Sequence, residues 1–97
     1  MHFKKVDANQ RFIRAELLKA GATVTDLSAV GKGCPDLLVG YKGRTYLLEC
    51  KDGRVAKSHR KLTPDQVVWH ESWQGEKAHI VLTELDALRT IGAITTP

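Results

Sequence analysis

The chain has 97 residues, of which 42% are hydrophobic and 27% are charged, a composition typical of a globular domain and unlike that of a disordered chain. No apolar run approaches the roughly 18 residues that a membrane span requires, and the N-terminus lacks the apolar stretch of a signal peptide. We therefore expect a cytoplasmic protein with one domain over residues 1–97. The net charge of +4 is compatible with a polyanionic partner without requiring one.

The first predicted elements are a helix and a strand. A helix is expected over residues 7–20, where apolar side chains recur at spacings of three and four residues. Asp7 is the expected cap, with Gln10 as its capping-box partner, and Gly21 follows the helix end. Residues 23–27 contain Thr-Val-Thr and predict a strand, because β-branched residues favour extended backbone.

The middle of the chain predicts a β-hairpin. Two apolar runs, residues 36–41 and 44–51, are separated by Lys42-Gly43, a turn signal. The remaining predicted elements are a helix that opens at Thr63-Pro64-Asp65-Gln66, a strand over residues 78–83 and a helix over residues 84–91.

The order α-β-β-β-α-β-α predicts an α/β fold with a mixed central sheet flanked by helices. The second helix connects the hairpin to the last strand, and such a strand–helix–strand passage predicts a parallel crossover. We see no repeat, low-complexity tract or linker that would divide the chain.

The hairpin register predicts that three charged side chains gather at one end of the sheet. With a two-residue loop, Asp36 lies opposite Glu49. Side chains alternate along a strand, so Lys51 shares the face of Glu49 while Cys50 points away. Two opposed carboxylates and one ammonium form either a structural salt bridge or a site for Mg²⁺ or Mn²⁺, whose coordination the Cys50 carbonyl would complete. The residues by themselves leave both interpretations open.

A basic segment follows this cluster. It is interrupted only by the acid Asp52, and it is either a phosphate-binding surface or a solvated loop. The basic residues after Lys51 that are candidates for DNA contacts are Arg54, Lys57, Arg60 and Lys61.

Three motifs carry a resemblance to a known family. Gly33-Cys34-Pro35-Asp36, then Leu48-Glu49-Cys50-Lys51, then Leu62-Thr63-Pro64-Asp65-Gln66 resemble the VRR-NUC branch of the PD-(D/E)xK nuclease superfamily. The resemblance implies a restriction-endonuclease-like αβββαβ core and a metal-dependent DNA endonuclease (a deoxyribonuclease) that hydrolyses phosphodiester bonds. Stand-alone phage and bacterial members are similar to Holliday junction resolvases, which cut branched DNA and often act as homodimers.

The resemblance also implies roles for the charged cluster. Asp36 and Glu49 would hold Mg²⁺ or Mn²⁺ together with the backbone carbonyl of Cys50. Lys51 would orient the attacking water or stabilise the charge of the transition state.

Two glutamines have both a structural and a catalytic interpretation. Gln66 caps back to Thr63, yet the resemblance places it beside the metal or the nucleophilic water. Gln10 occupies the position at which related junction-cutting nucleases carry a catalytic Glu, so this chain has one fewer anionic ligand and a two-metal site is in doubt. Its alternative role is the capping box with Asp7.

Other interpretations compete with the nuclease. Trp69 and Trp73 share a helix face and predict core or dimer-interface packing in preference to base stacking. A binding module without catalysis is the runner-up function. A double-stranded-RNA-binding domain also begins α-β-β-β-α but normally ends there, so the strand over residues 78–83 counts against it. A degenerate nuclease fold would usually have lost a carboxylate or the lysine.

Overall fold

The computed structural model describes residues 8–95, which form one mixed sheet and three α-helices. The predicted element order is confirmed, and a 3₁₀ helix at Lys57–His59 is added between the hairpin and the second α-helix. The elements are α1 (Gln10–Lys19), β1 (Thr23–Asp26), β2 (Leu37–Tyr41), β3 (Arg44–Cys50), α2 (Pro64–Ser72), β4 (His79–Val81) and α3 (Glu84–Thr90).

The sheet has the order β1-β2-β3-β4. The first two pairs are antiparallel, and β3 pairs with β4 in parallel, as the crossover through α2 predicts. The hairpin turn at Lys42 and Gly43 has positive φ at both residues, 48° and 80°. Two such residues give a turn whose twist matches that of the flanking strands. This explains why the turn closes with two residues.

The predicted hairpin register is confirmed along the whole of β2. The pairs run from Tyr41↔Arg44 to Leu37↔Leu48. One residue earlier the ladder becomes irregular, because the Asp36 amide also donates to the Leu48 carbonyl, at 3.0 Å. Asp36 thus stands just outside the regular ladder, beside the end of β3.

The hydrophobic core lies on the face of the sheet that α1 and α3 cover. Side chains of α1 four residues apart meet alternate residues of β2 and β3, so that each element buries one face. Cys50 belongs to this core, as its predicted direction away from Glu49 requires. The buried apolar residues include Ile13, Leu17, Leu37, Val39, Leu48, Cys50, Val81, Ala87 and Ile91.

The start of the first helix differs from its prediction. Helix α1 begins at Gln10, with Asn9 as its N-cap, and Asp7 lies outside the described residues. Asn9 makes no side-chain capping bond, and its side-chain amide instead donates to the backbone carbonyls of Lys51 and Leu82. Gln10 is the first helical residue, so its predicted place as third residue and capping-box partner of Asp7 is wrong. Among residues 8–95, every helix is too short or too polar to span a membrane.

Candidate active site

Asp36 makes hydrogen bonds with two neighbouring segments, the chain just after β1 and the end of β3. Its backbone carbonyl accepts from the Leu27 amide at 2.7 Å, and its amide donates to Leu48. Its carboxylate Oδ2 accepts from the Cys50 amide at 2.8 Å, and the residue is 3% exposed. Asp36 is therefore bonded to both chain neighbours of Glu49. The structure brings these two carboxylate residues to the same end of the sheet, as the register predicts.

A chain of hydrogen bonds joins Lys51, Gln66 and Glu49. The Lys51 ammonium Nζ donates to Gln66 Oε1 at 2.8 Å, and Gln66 Nε2 donates to Glu49 Oε2 at 3.2 Å. All three residues are less than a tenth exposed. Buried charged groups are costly unless paired or bonded, and here one neutral amide contacts both charges. The side chains of Glu49 and Lys51 thus share one face of the sheet, as predicted, and it is the face on which α2 lies.

Gln66 caps α2, as its sequence position predicts, and it also contacts the buried charged side chains. Its Oε1 accepts from the Thr63 amide at 2.9 Å, while its own amide donates to Thr63 Oγ1 at 3.3 Å, which completes a capping box. The same Oε1 accepts from Lys51, since an amide oxygen has two lone pairs. The cap that starts α2 therefore also orients the amide toward the buried charges.

Asn9 and Gln10 bring the start of α1 to the same region. Asn9 Nδ2 donates to the Lys51 carbonyl and to the Leu82 carbonyl, both at 3.0 Å. Gln10 Nε2 donates to Ser28 Oγ at 2.9 Å. Their amide oxygens, Asn9 Oδ1 and Gln10 Oε1, are buried and have no hydrogen-bond partner among residues 8–95.

Asn9 is the residue that the sequence analysis missed. Its residue type is a signal, because asparagine is a preferred N-cap and marks a helix start. Its contacts with Lys51 and Leu82 join positions far apart in the chain, so no local pattern predicts them. They fix the backbone at the exit of β3, where the Lys51 side chain begins.

The site offers oxygen ligands of the kind that hard divalent cations prefer. Within the described residues, no group of three or more His, Cys, Asp or Glu side chains is arranged to hold a metal. Mg²⁺ is usually held by one or two carboxylates, with waters and substrate phosphates supplying the remaining ligands. Asp36 and Glu49 meet that minimum, and Gln10, at the start of α1, has a buried amide oxygen that accepts no hydrogen bond within the described residues. The residues present therefore fit a single such cation.

The basic segment after β3 is largely exposed, and its arginines have local partners. The Arg54 guanidinium binds both carboxylate oxygens of Asp52, at 3.0 and 2.9 Å. These hydrogen bonds lower the pKa of Asp52 and raise the pKa of Arg54. Arg60 Nε donates to the Val55 carbonyl at 2.8 Å. The exposed lysines of this segment are Lys57 and Lys61.

The two tryptophans lie outside the buried core. Their rings stack with centroids 4.7 Å apart and planes 15° apart. Trp69 is half-buried and Trp73 is 46% exposed. A core role is therefore wrong for Trp73, and the interface and base-stacking interpretations remain.

One comparison, with solved structures, agrees with the fold and motifs. No protein-family model and no curated protein matches the chain at a significant level. A solved structure described as a VRR_NUC domain matches with a TM-score of 0.62 and 28% sequence identity, over 84% of this chain and 88% of that chain.

The four-stranded mixed sheet with flanking helices thus has a restriction-endonuclease-like fold, as the motifs predicted. Within that class the structure is similar to a VRR_NUC domain, a nuclease-domain family, which supports the resemblance that the motifs carry.

Proposed function

We propose that this chain is a deoxyribonuclease that uses Mg²⁺ or Mn²⁺ to hydrolyse phosphodiester bonds in DNA. One observation carries the proposal: Asp36, Glu49 and Lys51 are buried together at the end of β3, with Gln66 bonded to two of them. Ionisable groups kept in a buried cluster are typical of functional sites, because a merely structural role is filled more stably by apolar residues.

The carboxylates of Asp36 and Glu49, with the Cys50 backbone carbonyl, are the proposed cation ligands. The Cys50 amide points toward Asp36, and in extended backbone the carbonyl lies on the same side of the strand as the amide. A divalent cation held there would neutralise the carboxylates and act as a Lewis acid on the phosphate.

Lys51 and Gln66 have complementary proposed roles. The Lys51 ammonium would donate to the phosphate oxygens, whose negative charge grows as the transition state is approached. Gln66 would hold Lys51 and Glu49 at a constant separation, because its amide contacts both side chains. Gln10, whose buried oxygen has no hydrogen-bond partner in the described part of the chain, would bind a water or the cation where related enzymes have a carboxylate.

The preferred substrate in this proposal is branched DNA, cut by a homodimer. The resemblance to junction resolvases supports this, since two symmetric cuts suit a two-fold assembly. The exposed basic side chains of Lys57 and Lys61, and those of Arg54 and Arg60, would contact phosphates beside the site. For Arg54 such a contact competes with the bonds to Asp52.

The proposal is tested with labelled four-way junction, flap, splayed-arm and duplex DNA, with Mg²⁺, with Mn²⁺ and with EDTA. We expect cleavage only with metal, strongest on a branched substrate. Asp36→Ala and Lys51→Ala should abolish cleavage while DNA binding persists. Sedimentation at several protein concentrations tests the homodimer.

Lys19→Ala is the matched control, since it removes an exposed lysine at the end of α1, outside both the buried cluster and the basic segment. It should leave cleavage at saturating DNA unchanged. If Asp36→Ala and Lys51→Ala cut at the wild-type rate, the assignment is wrong. If the wild-type chain binds DNA but cuts nothing, the chain is the non-catalytic binding module.

A further inference from the structure

A groove of about 770 Å³ lies beside the candidate active site and has no role in the proposal above. It is formed between α2 and the β2–β3 hairpin. Leu47 lines it, and Leu47 shares a sheet face with Glu49 because the two are separated by one residue. The groove therefore opens on the side of the sheet where the buried charges meet α2.

The groove runs from the active-site end of the hairpin to its turn. Leu27 and Cys34 line one end, and Leu27 bonds Asp36. Gly43 and Arg44 line the other end, at the turn. Five residues of strand separate these ends, a length of roughly 17 Å at about 3.4 Å per residue. A strand of nucleic acid leaving the site in this direction would pass through the groove.

The lining combines an aromatic wall with positive charge. Trp69 and Trp73 form the wall, and the nearly half-exposed Trp73 leaves ring surface accessible. Arg44 and Lys77 also line the groove, against the single acid Glu76. Aromatic rings that bind bases, together with cations that bind phosphates, are the features by which proteins hold single strands.

We propose that this groove binds a single-stranded segment of the DNA substrate, with an unpaired base against the Trp69–Trp73 pair and phosphates at Arg44 and Lys77. A continuous duplex does not suit it, because paired bases are stacked inside the helix and must be unstacked before a side chain reaches their faces. The inference rests on the proposed function and narrows its substrate to DNA that is unpaired beside the cut bond.

A second copy of the chain fits the groove less well. A two-fold interface places the same surface of both subunits together. Groove would then face groove, which leaves a void, and Arg44 and Lys77 would approach their own copies. Like charges at an interface oppose association.

The tryptophans themselves report occupancy, because the chain contains two and both line the groove. The wild-type chain is titrated in EDTA, so that nothing is cut, with oligothymidylate and with a blunt duplex of equal length. We expect oligothymidylate to quench the tryptophan emission and the duplex to leave most of it. Equal emission changes with both, or none with oligothymidylate, would overturn the inference.

Variants then locate the site. Trp73→Ala should raise the Kd for oligothymidylate by about tenfold or more, and Trp73→Phe should restore most of the affinity. Arg44→Ala, at an exposed position, should weaken binding several-fold and make it less salt-dependent. Val68→Ala is the matched control, because Val68 is an exposed apolar residue of α2 that does not line the groove. Equal affinities for all four variants would contradict the inference.

The outcomes separate this inference from the proposed function. Quenching by oligothymidylate without cleavage of any DNA would refute the nuclease and leave the single-strand site standing. Metal-dependent cleavage with no quenching would refute the single-strand site alone. If Trp73→Ala turns a dimer into a monomer and oligothymidylate leaves the emission unchanged, a second copy occupies the groove and the inference is wrong.

Discussion

At the scale of single residues, Gln66 connects local folding to the candidate chemistry. Its side-chain oxygen accepts from both the Thr63 amide and the Lys51 ammonium, and its nitrogen donates to Glu49. Gln66 is only 6% exposed, so these hydrogen bonds are buried. A change at Gln66 therefore acts on the helix start and on the buried charges together.

Gln66→Ala should lower the free energy of unfolding by about 1–3 kcal/mol, because it removes partners of buried polar groups. The cleavage rate at saturating DNA should also fall, since Lys51 and Glu49 lose their common contact. Urea unfolding and single-turnover cleavage measure the two effects. Val67→Ala is the control, an exposed neighbour on the same helix, and equal effects of both variants would contradict this account.

His70 adds a pH-dependent contribution to stability. Burial lowers its pKa below the usual value of 6.5, and the positive charges of Lys51 and Lys77 lower it further. As the pH falls through about 6.5, the unfolded chain binds a proton that the folded chain does not, so stability decreases toward the lower folded pKa. Above about 6.5 both states hold neutral His70 and this contribution is flat.

His70→Gln should therefore reduce the loss of stability on acidification. The measurement is the free energy of unfolding in urea at pH values from about 7.5 down to about 5. The same substitution at His59, an exposed histidine, should leave the wild-type dependence in place. An unchanged pH dependence in His70→Gln would show that the histidine does not titrate differently on folding.

At the scale of elements, the segment between β1 and β2 is packed directly against the start of α2. Gly33 has φ of +82°, and a Cβ atom there would collide with the Asp65 backbone and lie 2.8 Å from the Gln66 amide. The tight approach requires glycine for two reasons, the left-handed backbone and the absence of a side chain. It also sets the position of Gln66 relative to Asp36, which follows this segment.

Gly33→Ala should destabilise the fold by about 2–4 kcal/mol and reduce cleavage, because the start of α2 must move. Gly31→Ala is the matched control, since Gly31 has φ of +74° but open space around its Cβ position. In that variant only backbone strain should lower the free energy of unfolding, by about 1–2 kcal/mol. Equal losses of stability in urea unfolding would mean that the contact with α2 contributes nothing.

At the scale of the whole molecule, ligand binding should stabilise the fold as well as enable chemistry. A cation between Asp36 and Glu49 would join the start of β2 to the end of β3. Just after the end of β3, Lys51 contacts Asn9 at the start of α1 and Gln66 in α2. Anything that binds only the folded state raises its stability in proportion to the logarithm of ligand concentration.

Mn²⁺ at about a hundred times its Kd should therefore stabilise the chain by about 2.7 kcal/mol, and EDTA should reverse the rise in Tm. Asp36→Asn should remove most of this rise. Gln10→Glu should enlarge it, because a carboxylate replaces the unpartnered amide oxygen, while Ala15→Glu adds the same charge at an exposed position of α1 and should not. If Mn²⁺ leaves the Tm of the wild-type chain unchanged, there is no cation site.

Much of this architecture is determined locally and was predicted from the sequence. The order of elements, the two-residue hairpin turn and the Thr63 cap follow from periodicity and turn chemistry, which depend on residues close in the chain. Because the hairpin register follows from its turn, the placement of Asp36 beside the end of β3, where Glu49 lies, was predictable too. The motif at Gln66 likewise identified a residue of the buried cluster.

Only the tertiary structure decided the features that depend on distant partners. Asn9 replaces the predicted cap Asp7 at the start of α1, and its side chain leaves the helix end for two strand-end carbonyls. Gln66 contacts Thr63 as well as Lys51 and Glu49, because α2 folds back over β3. Trp73 is exposed beside a groove that several segments of the chain form together. Each of these features depends on which surfaces come into contact in the folded chain, and patterns among residues close in sequence do not determine those contacts.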